Sequence, residues 1–187
     1  GCQFEQMDDR RVRVTGTQFV KSDQYTIKLE GAKPVGYRTI SLAGIRSPDL
    51  IAQLDTVLES VKDQVFQNFG EIETAEVKLL FRCYGRDGVM GELEPMRQAQ
   101  PHEIGLVIEV VAKTQALADT VCSFARSTLL HIGYPGRQST AGNLAFPYSP
   151  SDSSHGLVYE FSVYHLLTVD DPLTPFPRRM QQLGIRS

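Results

Sequence analysis

The sequence predicts an α+β fold: a ferredoxin-like split βαβ sandwich, with two helices on one face of an antiparallel sheet and an extra β-hairpin at the N-terminus. Three observations predict it. Two runs carry a single apolar stripe at helical spacing: Leu50, Leu54, Val57, Leu58, Val61, Val65 and Phe69, then Leu117, Val121, Phe124, Thr128 and Ile132. Two runs alternate with period two: Glu76 to Tyr84 and Glu103 to Val111. The order of these runs is strand–helix–strand twice over, after an initial pair of strands.

Along the chain, residues 1–9 read as an extended or disordered terminus. Residues 10–168 read as a single α+β domain, and 169–187 as a Pro-rich tail with a short helical turn at 178–183. Arg11-Val12-Arg13-Val14 and then Tyr25, Ile27 and Leu29 alternate on either side of Lys21-Ser22-Asp23, which predicts a hairpin. The stretch from Gly31 to Pro34 breaks that pattern, and Val35 to Ile45 forms a new strand. Ser47-Pro48-Asp49 is a helix start: a capping hydroxyl, proline at the first helical position and an acid in the first turn. That helix runs about five turns to Gly70.

Glu76 to Tyr84 places Val77, Leu79, Phe81 and Cys83 on one face, with Lys78, Leu80, Arg82 and Tyr84 on the other. Gly85-Arg86-Asp87-Gly88 is a turn, after which Val89 to Leu93 pairs back briefly. In the next strand Ile104, Leu106, Ile108 and Val110 share the core face, opposite Glu103, Gly105, Val107 and Glu109. Thr114 caps the second helix and Gly133 ends it. Leu157 to Leu167 is the last strand, with Phe161, Val163 and a lone His165 on its core face.

The connection from Gly133 to Gly156 (GYPGRQSTAGNLAFPYSPSDSSHG) is the feature that fold class does not explain. A helix-to-strand link normally takes about 2–6 residues, and long aperiodic loops are commonly lids or binding loops. Its apolar members Tyr134, Leu144, Phe146 and Tyr148 predict that it packs down on something. Glycine-rich backbone with Arg137, Ser139, Thr140, Asn143 and Ser151 is a candidate ligand-binding set, suited to an anion.

The totals exclude several classes. The 187 residues are 41% hydrophobic and 22% charged, with a formal charge of −3, which fits a globular domain and leaves no electrostatic footprint for nucleic acid. No apolar run has the length of a membrane span. Three widely spaced cysteines, Cys2, Cys83 and Cys122, make neither a disulfide framework nor a CxxC site, and Cys122 falls off the main helical stripe. The expected location is therefore the reducing cytoplasm. No two histidines stand at i, i+4, and no HExxH or Walker A spacing occurs, so no metal or cofactor is expected. The helix-free sheet face, by the period-two rule, carries Thr39, Ser41, Lys78, Arg82, Glu109, Glu160, Ser162 and Tyr164. Of these, Lys78, Arg82, Glu109, Glu160 and Tyr164 form a candidate interaction face, and a solvated face with cross-strand ion pairs is its plain alternative.

The strings RVRVTG (11–16), YTIKLEGAKPVGYRTISLAGIRSP (25–48), YGRDGVMGELE (84–94), HEIGLVIEVVAKTQ (102–115), FARSTLLHIGYPGR (124–137) and AGNLAFPYSPSD (141–152) resemble the C-terminal part of the acyclic terpene utilisation family, the AtuA-like proteins. The family's name comes from bacterial pathways that degrade citronellol-like terpenes through acyl-CoA intermediates. The resemblance implies an accessory or assembly domain of a larger catabolic protein, and a chain that starts at Gly1 agrees with that. Its expected partners are the N-terminal region of the full-length protein and further copies of itself. The alternative is part of an enzyme acting on a carboxylate or acyl-CoA, with the 133–156 loop as its lid. No catalytic residue carries over, and Ser153-Ser154-His155 departs from the family's Ile-Pro after the Ser-Pro-Ser-Asp run.

Overall fold

The computed structural model describes residues 1–70 and 76–182. The fold is α+β, with a two-stranded and a four-stranded sheet. The chain gathers into two compact units, Gly1–Gly31 with Phe161–Ser187, and Ala32–Glu160.

The first unit opens on an antiparallel hairpin, β1 (Gln3–Asp8) with β2 (Arg11–Thr15), in which Phe4 stands opposite Val14 and Gln6 opposite Val12. Its turn is fixed by Asp8, whose carboxylate accepts from the Arg10 backbone N–H at 2.9 Å and from Arg11 Nε at 2.7 Å. The Arg11 guanidinium holds the Asp8 carboxyl below the usual aspartate range. This corrects the expected hairpin, which joined residues 11–14 to 25–29. The strand-poor string QFEQMD hid β1, while Tyr25 onward belongs to a different strand. That strand is β3 (Tyr25–Ile45), and its first part lies in this unit beside the last part of β6 (Asp152–Val169). The approach is close at Gly31, where an added Cβ would meet Val163 Cβ at 3.2 Å. Lys28 Nζ sits 4.5 Å from the centre of the Tyr164 ring. No described residue of this unit is buried. Phe161 and Val163, with His165, were expected on a core face and are instead exposed. Residues 178–182 have no regular structure, and Leu183 lies outside the described residues.

The second unit holds the core. Its sheet has the order β4-β5-β3-β6, where β4 is Val77–Tyr84 and β5 is Ile104–Ala112. β5 pairs antiparallel with both neighbours, from Tyr37 opposite Ala112 to Ile45 opposite Ile104, and from Val77 opposite Ala112 to Tyr84 opposite Gly105. β3 is one continuous 21-residue strand, although the pattern breaks between Gly31 and Pro34. The ladder with β5 begins only at Tyr37, so Pro34 removes no donor from it. Gly36 permits the entry: its φ is +145°, and an added Cβ would lie 2.6 Å from the Ala112 carbonyl oxygen.

The helices pack on the face that carries Ala43, Ile45, Val77, Leu79, Cys83, Ile104, Leu106 and Ile108. Ser47 caps α1 (Pro48–Ala52) by accepting from the Leu50 N–H. The single long helix expected here is interrupted at Gln53. That residue leaves helical dihedrals, and its side-chain amide donates to the carbonyls of Asp49 at 2.8 Å and Pro135 at 3.0 Å. α2 (Leu54–Asn68) then buries Leu54, Val57, Leu58, Val61 and Val65. Thr114 caps α3 (Gln115–His131), accepting from Leu117 N–H at 3.2 Å. The buried stripe of α3 is Ala118, Val121, Cys122, Ala125 and Leu129, turned by about one residue from the expected one. Small side chains at 118 and 125 let α3 come close, and the larger Leu117 and Phe124 flank the contact. Phe124 meets Phe69 edge to face at 5.3 Å. Cys122, expected off the stripe, is fully buried, and burial pushes its thiol up to about 12 and that of Cys83 up to about 11. Residues 89–93 do not pair back, and Gly91–Leu93 is a 3-10 turn.

Candidate functional site

Because paired residues of antiparallel strands point the same way, the register sets out the helix-free face of the second unit in rows across β3, β5 and β4. Arg38, Val111 and Lys78 form one row, and Ile40, Glu109 and Leu80 the next. Leu42, Val107 and Arg82 follow, then Gly44, Gly105 and Tyr84. Glu109 is buried at the centre, between guanidiniums that reach it from the diagonals. Arg82 donates to Oε2 from Nε at 2.8 Å, and its Nη2 lies at 2.8 Å from the same oxygen. Arg38 Nε lies 2.8 Å from Oε1 but is not aimed to donate, so its N–H is buried without a hydrogen bond. One carboxylate facing two guanidiniums leaves the strip cationic, and Lys78 adds to it.

Of the residues expected on this face, Lys78, Arg82 and Glu109 lie on it. Thr39 and Ser41 do not. They turn to the helix side and are buried there because each finds a partner. Thr39 Oγ1 donates to Asp119 Oδ1 on α3 and accepts from Gln115 Nε2 at 2.7 Å. Asp119 Oδ1 also accepts from Gln115 Nε2 at 2.9 Å and from Ser154 Oγ at 2.8 Å, while Gln115 Oε1 accepts from the Gly156 N–H at 3.0 Å. The network ties α3 to β3 and β6. Its hydrogen bonds, led by that of Thr39, hold the Asp119 carboxyl below its ordinary value. Ser41 Oγ donates to the Ser151 carbonyl at 3.1 Å. Glu160 pairs with Lys33 at 3.1 Å, and Tyr164 belongs to the first unit.

The sequence reading missed the Gly44–Gly105 pair. The two glycines face each other across β3 and β5 with Tyr84 beyond, and they floor an apolar cleft of about 450 Å³ walled by Leu42, Val107, Phe146 and Pro147. Neither is needed for backbone reasons. An added Cβ at Gly105 would touch Tyr84 Cβ at 3.7 Å, and one at Gly44 would touch the Ala145 carbonyl oxygen at 3.9 Å, both ordinary contacts. Glycine inside a strand, without strain to relieve, marks a place where something can approach the sheet closely.

The long connection supplies one wall of that cleft and is held down along its length. Ala145 exchanges backbone hydrogen bonds with Gly44 at 2.7 and 2.8 Å, and the Gly142 carbonyl accepts from the N–H groups of Arg46 and Ser47. Leu144 is buried in the core. Arg126 stacks over Phe146 at 5.7 Å and bonds Asp152 Oδ1 at 2.8 Å, where β6 begins. Of the residues expected to bind ligand, Arg137 donates to the Leu130 carbonyl at the end of α3, at 3.2 Å. Asn143 is buried, accepting from Tyr134 Oη at 3.0 Å and donating to the Gln138 carbonyl. Ser139 and Thr140 are exposed, and Ser151 offers its carbonyl to Ser41. A second, polar cleft of about 700 Å³ lies beside the turn after β4, with Arg86 bound to Asp55 at 2.8 Å and to Asp87 at 3.4 Å. Burial opposes the Arg86 charge, yet the Asp55 carboxylate keeps its pKa above the usual value. Among the described residues, no three His, Cys, Asp or Glu side chains gather as a metal site, and no helix is long and apolar enough to cross a membrane.

Compared with known proteins, residues 1–151 match the family model described as acyclic terpene utilisation family protein AtuA. The chain belongs to that family. The match runs through β1 to β5, all three helices and nearly all of the long connection, and it stops one residue short of β6. No curated protein matches this AtuA-family chain. No solved structure matches it either.

Proposed function

We propose that this AtuA-family chain is an accessory, assembly domain of a terpene-catabolic protein, built on a ferredoxin-like sandwich. The strand order β4-β5-β3-β6, with helices linking β3 to β4 and β5 to β6, supports that architecture. The observation that carries the assembly role is the first unit. Its strands bear large apolar side chains, and none of its described residues is buried. Two-stranded ribbons are marginal in water without an apolar face packed on something else, so this unit needs a partner to order it. The test is growth on an acyclic terpene, in a host that depends on the protein. Phe161→Asp with Tyr164→Asp should abolish growth, and Arg137→Ala should leave it intact. Normal growth with the double variant would sink the proposal.

The apolar cleft favours a second reading, in which the domain helps an enzyme to hold a carboxylate or an acyl-CoA. The chain of the ligand would lie over Gly44 and Gly105, under Phe146 and Pro147, and the rest of the 133–156 connection, with Arg137, Ser139, Thr140, Asn143 and Ser151, would serve as lid. Titration with decanoyl-CoA should then shift the amide signals of 44, 84, 105 and 146, and Gly105→Val should remove the shift. No saturable shift would end this reading.

A further inference from the structure

We propose that the partner ordering the first unit is a second copy of this chain, joined through the ribbons formed by residues 1–31 and 161–169. The inference rests on the assembly reading and names its partner.

Area is the first argument. The aromatic side chains Phe4, Phe19, Tyr25, Phe161 and Tyr164 are each between 60% and 93% exposed. A fully exposed Phe or Tyr buries about 150–250 Å² when covered, and each of these buries its exposed share of that. Together they approach the ~800 Å² per partner of a standard interface, before Val12, Val14, Leu29 or Leu166 is counted.

Charge is the second. Residues 1–31 hold five acids (Glu5, Asp8, Asp9, Asp23, Glu30) and five bases (Arg10, Arg11, Arg13, Lys21, Lys28). The described residues 161–182 hold two of each, Asp170 and Asp171 with Arg178 and Arg179. Ion pairs join Arg11 to Asp8, Arg13 to Glu5 and Lys28 to Glu30 within the same unit. Residues 32–160 carry 15 acids and 11 bases, a balance of 11 − 15 = −4. Two copies therefore repel through their second units and meet with little repulsion through their first. With Arg186 the first unit as a whole carries 8 − 7 = +1, and a nearly neutral, apolar surface fits its own copy while offering little to attract a strongly charged partner.

Free strand edges are the third. Among the described residues β1 and β2 pair only with each other, so both outer edges of that hairpin keep backbone groups that a second copy can extend.

The test is sedimentation of the chain over a wide concentration range at low and high salt. The expected result is a dimer insensitive to salt. Phe161→Asp with Tyr164→Asp, at positions already exposed, should raise its dissociation constant at least ~tenfold without changing the unfolding transition of the second unit, which has its own core. Leu80→Asp, on the sheet of the second unit, should leave the dimer unchanged. A chain monomeric at every concentration overturns the second-copy partner, while the growth test above decides the assembly reading by itself. A dimer that survives the double variant, or that salt dissolves, overturns the assigned surface and leaves the assembly reading standing.

Discussion

Glu109 and Asp119 show how two carboxylates near one sheet come to different ends. Glu109 is buried on the helix-free face and is matched by two half-exposed arginines. Removing the acid leaves two like charges facing each other, whereas removing one arginine leaves the other pair in place. Glu109→Ala should therefore cost about 1–3 kcal/mol in urea unfolding, and Arg82→Ala less than ~1 kcal/mol. Equal costs would contradict the arrangement. Asp119 is half-buried, at the edge of the layer between α3 and the sheet, and contributes less. Its folded pKa is lowered, first by the Thr39 hydroxyl, so its share of stability is present above the unfolded value and lost as pH falls through the folded one. Asp119→Asn should flatten the acid limb of the stability profile by well under ~1 kcal/mol. An unchanged acid limb would mean that the network around Gln115 and Ser154 does not form.

At the scale of elements, β5 and the helix-side face of β4 were legible because Ile104, Leu106, Ile108, Val77, Leu79 and Cys83 alternate without competition. β3 was misread on its faces for a physical reason. Its alternation sets Ile40 and Leu42 against Thr39 and Ser41, which points the apolar pair inward. The hydroxyls win the inner face because Asp119, Gln115 and the Ser151 carbonyl satisfy them there. Such bonds join residues 76 to 110 apart in sequence and leave no local signal. The same holds for Gln53, whose amide is drawn to Pro135, and for Gly44 and Gly105, whose meaning appears only when the register sets them side by side. The cap of α3 was readable, and Thr114→Ala should cost about 0.5–2 kcal/mol. Gly105→Ala should leave stability unchanged or raise it by up to ~1 kcal/mol, since the new methyl group meets only an ordinary contact at Tyr84. A large loss in thermal unfolding would show that the cleft floor is packed by something else.

At the scale of the whole molecule, the contrast lies between a unit with a full hydrophobic core and one in which no described residue is buried. The second unit supplies its own cover for nearly every large apolar strand residue on the helix side. The first unit exposes such residues, and sequence periodicity could not show it, because Tyr25, Ile27 and Leu29 alternate like any half-buried strand. Periodicity reports which face is apolar and not what lies against it. The central claim, that a second copy covers this unit, is tested most directly by hydrogen–deuterium exchange of the chain over a concentration series. The account predicts that amides of 25–31 and 161–169 gain protection as concentration rises, while those of 104–112 stay protected throughout. Rapid exchange of 25–31 and 161–169 at every concentration would contradict it.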